Sequence, residues 1–326
     1  MKETSPARAS NGLYRFAQSV VFATLCLIFL GGMVTSKGAG LAVPDWPLSY
    51  GSLNPPGWLH IENVRLEHGH RLFAGFVGLL ITVLAILVWK YETRPRVRWL
   101  GVAAFAGVCF QGVLGGLRVT QLSSVLAMAH ACMAQLFLCI VLTLAVVLSP
   151  NWIHGNWDYF GRKLSAIRAM SWALVFIVYC QLILGAVMRH MNAGLAIPDF
   201  PLAFGKLIPT IDSPQIAINF AHRAGALVVT CAVISLFAAI LVNARKERRL
   251  LLPAIALAVL LVLQIALGAH VIWLAKAPLP TTLHVLNGAL ILCAALFIAL
   301  RAGRLKPHGF HLNGFTRPEL ISEVTA

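Results

Sequence analysis

Charged residues are scarce in this 326-residue chain, and acidic residues are the scarcest of them. Asp, Glu, Lys and Arg together make up 11% of the residues, against about 25% in an ordinary soluble domain, while 59% are apolar. This balance excludes a soluble globular protein. The apolar runs are continuous and do not alternate with a period of two residues, which excludes a transmembrane β-barrel as well.

The loops lack cysteine. All seven cysteines fall within apolar runs, where a thiol usually serves as a small apolar side chain. Because none lies in an outward-facing loop, where an oxidising compartment could pair them, we expect no structural disulfide. The seven are Cys26, Cys109, Cys132, Cys139, Cys180, Cys231 and Cys293.

Long apolar runs dominate what remains. Eight uncharged runs are present, each of about 18 residues or more and therefore long enough to cross a hydrocarbon core of roughly 30 Å. They predict eight transmembrane helices. The runs cover residues 16–34, 72–89, 99–117, 119–148, 169–188, 224–242, 250–275 and 277–300.

The Lys and Arg residues are distributed unevenly about these runs. Eighteen of the 26 fall on one side, at both ends of the chain and after the second, fourth and sixth runs. Six lie on the other side, and Arg71 and Arg223 stand at span entrances. By the positive-inside rule we expect both termini in the cytoplasm. The formal charge of +15 is then a topology signal, and no nucleic-acid partner is predicted.

The chain repeats itself at an offset of 154 residues. Residues 39–51 read AGLAVPDWPLSYG and residues 193–205 read AGLAIPDFPLAFG. Two halves with an even number of spans enter the membrane from the same side, so we expect parallel repeats related by an axis along the membrane normal. Since the first span corresponds to the fifth, in mid-chain, we expect it to be retained and not cleaved as a signal peptide.

The predicted fold is therefore all-α, a polytopic membrane protein with two parallel-related four-helix bundles. Almost everything outside the spans is loop, so we expect no separate soluble domain. The predicted segments are a cytoplasmic N-terminal segment 1–15, an N-terminal half 16–148, a cytoplasmic linker 149–168, a C-terminal half 169–300 and a cytoplasmic tail 301–326.

Two outer loops, residues 35–66 and 189–218, share a Pro-Asp-aromatic-Pro core. This core is typical of a rigid turn that holds an aromatic ring at the membrane interface, as an anchor or as part of a lid. A Leu-Gly-small motif closes every odd-numbered span, where a small residue lets a helix or a flat ligand approach closely. Its glycines are Gly31, Gly115, Gly185 and Gly268.

Four histidines occupy matching places, one near the start of each even-numbered span. A single histidine in a span is commonly a helix–helix hydrogen-bonding residue, but two imidazoles facing each other in a helix bundle are the usual ligands of a low-spin haem iron. Two pairs predict two porphyrin sites, one per half. Structural zinc fits less well, because it prefers four clustered nitrogen and sulfur ligands. These candidate metal ligands are His70, His130, His222 and His284.

Arg71 and Arg223 follow two of these histidines directly. A guanidinium at the outer membrane edge is suited to pair with a carboxylate such as a haem propionate, which makes both arginines candidate cofactor-binding residues. Ordinary snorkelling of a long cationic side chain is the alternative.

The two halves differ three residues before the first histidine of each. Glu67 stands there in the N-terminal half and Asn219 in the C-terminal half, and the spacing puts Glu67 one helical turn from His70. A carboxylate at this depth is costly and is therefore a catalytic candidate, unless it only caps the start of the second span. Four histidines without repeat mates, interpreted as loop or interface residues, are His60, His68, His190 and His270.

With these residues in view, the chain resembles the haem A synthase family over nearly its whole length. The resemblance rests on the segment 67–71, which reads EHGHR, on the second His-Arg pair at 222–223, on the isolated His130 and His284, and on the duplicated loops. Some members carry a cysteine pair in an outer loop. This sequence has none there, so the resemblance does not carry a thiol-based step over to it.

The resemblance implies oxidation of the C8 methyl group of haem O, through an alcohol, to the formyl group of haem A for terminal cytochrome oxidases. It implies that His222 and His284 ligate a resident haem b, and that His70 and His130 flank the substrate haem with Glu67 assisting. It also implies a lipid-embedded protein of the bacterial cytoplasmic (inner) membrane. Candidate partners are haem O synthase and cytochrome oxidase assembly factors, and the electron donor is not identified.

Two other functions remain open at this point. A di-haem cytochrome that carries electrons would also need paired histidines, but would not need Glu67 in one half alone. A repeat-built transporter would account for the internal symmetry, but not for four histidines at one depth.

Overall fold

The structure, a computed structural model, describes residues 11–307 of the chain. Within that range, eight helices are long and apolar enough to cross a membrane, which confirms the predicted number of spans and the all-α fold. They are α1 (Asn11–Ser36), α2 (Glu62–Tyr91), α3 (Pro95–Thr120), α4 (Ser124–Val147), α6 (Leu164–His190), α7 (Pro214–Asn243), α8 (Arg248–Trp273) and α9 (Pro278–Arg304). The short helix α5 (Pro150–His154) lies between α4 and α6.

Helix starts follow local signals that hydropathy does not record. Proline at the first helical position begins α3, α7 and α9, where its missing N–H costs nothing. The Ser213 side chain caps α7 by accepting from the N–H of Ile216. Helices α2 and α7 each begin ten residues before the predicted runs at 72 and 224, because those uncharged runs start only after the His-Arg pair that lies within each helix. Conversely, residues 119–120, predicted for the fourth span, end α3.

Each half is a four-helix bundle with the same set of neighbours. In the first half α2 packs between α1 and α3, and α4 closes the bundle against α3 and α1. In the second half α7 likewise packs between α6 and α8, and α9 closes the bundle against α8 and α6. The halves meet where α1 and α4 pack against α6 and α9, and a polar chain at this seam runs from Arg189 through Ser36 to Thr282, with distances of 2.7 and 2.9 Å.

Apolar packing is concentrated in one cluster per half. The first contains Ile81, Leu84 and Leu144, and the second contains Leu236 and Leu292, all fully buried. In a membrane these contacts hold helices together by close packing, since lipid tails are as apolar as leucine.

At the end of the bundle opposite the two long loops, called the inner side below, the turns that join α2 to α3 and α7 to α8 each contain an ion pair. Arg94 donates to both carboxylate oxygens of Glu92, at 2.9 and 2.7 Å, and Arg249 does the same to Glu247, at 2.6 and 2.7 Å. This Glu-x-Arg motif belongs to the repeat, but the residue match at an offset of 154 does not show it, because its two copies stand 155 residues apart.

The inner segment between the halves is more structured than a linker. It contains α5 and the strand β1 (Asp158–Tyr159), which pairs in parallel with β2 (Lys306–Pro307) after the last helix. Trp157 and Tyr159 are buried in the apolar cluster of the second half. Helix α6 begins at Leu164, five residues earlier than the predicted start of the C-terminal half. Most of the predicted terminal segments lies outside the described residues, as do His308 and His311.

The charge distribution and eight helices together predict the topology. A fluorescent protein fused after Lys90 or Lys246 should fluoresce, because both sites are expected in the cytoplasm. Alkaline phosphatase inserted in the loops at 35–66 and 189–218 should be active, because both loops are expected outside. Alkaline phosphatase and fluorescent-protein fusions measure this. A loop reporter on the same side as the Lys90 fusion would contradict the parallel repeat.

Candidate functional site

The four candidate histidines make the same contact in four helix pairs. The edge of each imidazole lies against the Leu-Gly-small glycine of the preceding span, so close that a Cβ on that glycine would be 3.1–3.2 Å from the ring carbon Cε1. Such a distance is tighter than ordinary van der Waals contact, so only glycine fits without a shift. The pairs are Gly31–His70, Gly115–His130, Gly185–His222 and Gly268–His284.

In the second half the two imidazoles lie close together in an edge-to-face arrangement. The ring centroids of His222 and His284 are 6.4 Å apart, with an angle of 66° between the planes. Two imidazoles that bind one metal ion from opposite sides, each nitrogen about 2 Å from it, have centroids roughly 6 Å apart. The spacing of this pair therefore fits two imidazoles that would hold one iron between α7 and α9.

In the first half His70 and His130 are close enough to interact electrostatically. Both rings are half-buried, and the Nδ1 atoms of His70, His130 and His284 are buried without a hydrogen-bond partner among the described residues. A buried ring nitrogen without a partner is unfavourable in a folded protein unless a ligand changes its environment. The site chemistry thus fits a group that binds imidazoles.

Three of the four histidines are also held by a glutamine. Gln111, Gln181 and Gln264 each stand one turn before the contact glycine and donate to the backbone carbonyl of the histidine opposite, at 3.3, 2.8 and 3.2 Å. The amide nitrogen of Gln181 also lies 3.1 Å from Nδ1 of His222, and that of Gln264 lies 3.3 Å from Nε2 of His284. The matching position in α1 is Leu27, so His70 has no such glutamine.

Glu67 is buried, 3% exposed, and makes two hydrogen bonds. Its Oε1 accepts from Arg71 at 2.8 Å, and its Oε2 accepts from the backbone N–H of Val43 in the outer loop, at 2.9 Å. Helix α2 begins five residues earlier, at Glu62, so Glu67 is not a helix-end residue. The carboxylate ties the loop to α2.

Asn219 has the corresponding place in the second half and is 2% exposed. Its amide donates to the carbonyl of Ala193 in the second loop, at 2.8 Å, and its oxygen accepts from Arg223 at 3.0 Å. The two positions share the task of attaching a loop, and they differ in charge and in the ability to exchange a proton.

The two arginines bind loop carbonyls. Arg71 donates to the carbonyls of Asp45, Leu48 and Val43 at 2.6, 3.0 and 2.9 Å, in addition to Glu67. Four of its five N–H groups are thereby used. Arg223 repeats the pattern with the carbonyls of Asp199, Leu202 and Ile197 at 2.8, 2.9 and 2.9 Å. These arginines hold the loops and have little donor capacity left for a ligand carboxylate.

The loop motif forms an aspartate-capped turn in both halves. The Asp45 carboxylate accepts from the N–H groups of Gly51 and Tyr50, each at 2.7 Å, and donation from Gly51 and Tyr50 lowers the pKa of Asp45. The Asp199 carboxylate likewise accepts from the N–H groups of Gly205 and Phe204, and these hydrogen bonds lower the pKa of Asp199. The paired residues 50–51 and 204–205 all have positive φ, as a two-residue turn of type I′ requires.

Each loop places its aromatic residue on the outer end of the third span of its half. The indole of Trp46 lies over Gly116, where a Cβ would meet its ring carbons at 2.3–2.7 Å. Phe200 makes an edge contact with Trp273, with ring centroids 6.2 Å apart. The loops therefore cover the outer ends of the bundles that contain the histidines.

Sequence reasoning missed His68. Interpreted as a loop or interface residue, it lies within α2, 3% exposed, with its Nδ1 2.8 Å from the Ser49 hydroxyl and its ring against Trp58. It helps to hold the first loop. Because Phe220 stands at the matching position, the repeat carried no signal for this role.

Replacing Arg223 by Lys should loosen the second loop. Lysine keeps the charge but cannot reach three carbonyls and Asn219 at once, and each hydrogen bond to a charged group is worth about 1.5 kcal/mol or more. Tryptic cleavage after the exposed Lys206 should become at least about tenfold faster. The control is Arg96→Lys on the inner side, which should leave the cleavage rate unchanged; equal rates in both variants would contradict the assignment.

Comparison with known proteins agrees with this geometry. The family of cytochrome oxidase assembly proteins COX15-CtaA matches residues 61–296. "Heme A synthase" of Shouchella clausii is 30% identical over 289 residues, 86% of this chain and 93% of the relative. "Heme A synthase" of Symbiobacterium thermophilum is 34% identical over 224 residues, 65% of this chain and 70% of the relative.

A third relative, "Heme A synthase" of Bacillus cereus, is 31% identical over 213 residues, which cover 63% of this chain and 66% of that protein. The family match spans α2 to α9 and includes all four histidines, Glu67 and both arginines. The resemblance predicted from the sequence is thus confirmed, and the chain belongs to the COX15-CtaA family of haem A synthases.

Proposed function

We propose that this protein is a haem A synthase that oxidises the C8 methyl group of haem O, through an alcohol, to the formyl group of haem A. The observation that carries the proposal is the glycine–histidine contact repeated in four helix pairs, which gives each half a pair of imidazoles. Family membership selects haem O as the substrate among the ligands that such pairs could take.

The second half is proposed to hold a resident haem b. His222 and His284 would hold its iron, since the 6.4 Å between their ring centroids suits two imidazoles bound to one iron. Gln181 and Gln264 restrain both histidines, and such second-layer contacts strengthen metal binding by about 10- to 100-fold. When bound, this haem supplies one-electron redox chemistry to the reaction.

The first half is proposed to bind the substrate. His70 and His130 flank haem O and hold its ring, so that the C8 methyl group is presented in one orientation. Because Leu27 replaces the glutamine found at the other three positions, His70 is the least restrained of the four ligands. A ligand held less firmly suits a site that must release its product.

Glu67 is proposed to act in catalysis as the proton-exchanging group of the first half. It lies three residues from His70 on the same helix, and its ion pair with Arg71 at 2.8 Å fixes its position. At the equivalent position of the second half, Asn219 attaches the loop without a titratable group. This difference favours the synthase over a di-haem cytochrome, in which both halves would have the same task.

The proposed setting is a bacterial cytoplasmic membrane with both termini in the cytoplasm. Substrate and product are amphipathic porphyrins with a long apolar tail, so exchange from the lipid phase suits a bundle of eight spans. Haem O synthase and cytochrome oxidase assembly factors are the proposed partners that deliver the substrate and accept the product.

Replacing His222 by Ala in the full-length chain should remove the six-coordinate, low-spin absorption spectrum of the resident haem. The same is expected for His284→Ala, because one axial ligand is lost in either case. Absorption spectroscopy of the purified protein, with extraction and mass analysis of its haem, measures this. His154→Ala, in α5 on the inner side, is the control. A wild-type spectrum in the His222→Ala, His284→Ala double variant would refute the ligand assignment.

Replacing Glu67 by Gln should lower haem A formation by about 100-fold or more, the usual scale for a positioned acid or base. Glutamine keeps the size and reach of the side chain, so the resident haem should stay bound. It cannot exchange a proton, which is why turnover should fall. Conversion of haem O in membranes, followed by chromatography of extracted haems, measures the loss.

The matched control is Asn219→Asp, which introduces a carboxylate at the equivalent position and should leave turnover largely intact. Protease protection of the first loop separates a catalytic effect from loss of the tether to Val43. Normal haem A production by the Glu67→Gln protein would show that Glu67 serves only the loop.

A further inference from the structure

Each half contains a second cation that lies against its outer loop. The Arg118 guanidinium, at the end of α3, donates to the carbonyl of Gly40 at 2.7 Å. In the other half the Lys276 side chain lies against Gly194, with its Cδ 3.2 Å from where a Cβ would stand. The two glycines match in the repeat, but Arg118 and Lys276 do not, so only the folded chain brings them to equivalent places.

Arg118 faces the proposed substrate site. It follows Gly115, the glycine in contact with His130, by three residues, so both lie on one face of α3 with Arg118 one turn nearer the outer side. Its guanidinium is within Coulombic range of both His70 and His130. A group bound between these histidines has Arg118 at its outer edge.

The guanidinium has donors to spare. Among the described residues, Gly40 is the only hydrogen-bond acceptor of Arg118, which has five N–H groups, whereas Arg71 uses four of its five. The nearby Glu67 is already bound by Arg71 and Val43. A half-buried cation at this depth, without a carboxylate of its own, is stabilised by an anionic ligand.

We propose that Arg118 binds a propionate carboxylate of the porphyrin in the first half and so sets the orientation of the ring. The inference rests on the proposed function, since it takes haem O as the occupant of that half. A planar guanidinium with free N–H groups matches a carboxylate in two-pronged geometry. Arg118 is thus a positioning residue, and it takes the role for which Arg71 lacks free donors.

Binding of haem O and of its dimethyl ester, in which both propionates are uncharged, tests this assignment. The full-length protein with its resident haem is titrated with each compound, without a reductant so that no conversion occurs, and the Soret difference spectrum is followed. Arg118→Gln should raise the Kd for haem O at least about tenfold, the loss expected for one hydrogen-bonded charge pair. The Kd for the dimethyl ester should be equal in the two proteins.

Lys276→Gln is the matched control, because it removes the corresponding cation of the other half; its Kd for haem O should equal that of the wild type. Three results would overturn the proposal: an unchanged Kd in Arg118→Gln, an equal loss for haem O and its ester, which would mark Arg118 as a loop tether, or an equal loss in Lys276→Gln. If the wild-type protein takes up no haem O, the proposed function itself fails. If it binds haem O and forms haem A while Arg118→Gln binds normally, only the propionate assignment fails.

Discussion

Close contact between a glycine and an imidazole ring, made in four helix pairs, is the constraint on which this molecule depends. With no side chain in the way, the preceding span approaches the histidine edge to within a distance that even a methyl group would disturb. Each ring is then confined between its own helix and the preceding one. The 6.4 Å spacing of His222 and His284 follows from this confinement, and so does the fit to one iron between them.

Duplication explains the features that the two halves share, and divergence at a few positions is the basis of the different roles proposed for them. Both halves keep the glycine–histidine contacts, the arginine bound to loop carbonyls, the aspartate-capped turn and the inner Glu-x-Arg pair. They differ at a position that restrains a histidine and at a position that can exchange a proton. Leu27 in the first half corresponds to Gln181 in the second, and Glu67 corresponds to Asn219. A site that retains its porphyrin gains from two restrained ligands, whereas a site that exchanges it does not.

Acidic side chains are scarce in the outer part of the bundle, and this scarcity determines the electrostatics there. Glu67 is the buried carboxylate of this region among the described residues, and Arg71 and Val43 occupy both of its oxygens. Half-buried cations such as Arg118 are then left with neutral partners. In a low-dielectric setting such cations favour an anionic ligand, which is what the propionates of a porphyrin provide.

The eight spans, the two halves and the four histidines could be predicted before the fold was known, because apolar length and self-similarity are properties of the chain alone. The sequence also singled out Glu67, through its mismatch with Asn219. It placed the start of α2 ten residues late, since the uncharged run starts only after the His-Arg pair within that helix. The partners of the long polar side chains were decided only by tertiary structure. Arg71 donates to Asp45, 26 residues away, and Arg118 to Gly40, 78 residues away. Which carbonyl lies within reach of a guanidinium depends on how the loops fold over the bundle, and no local pattern records that.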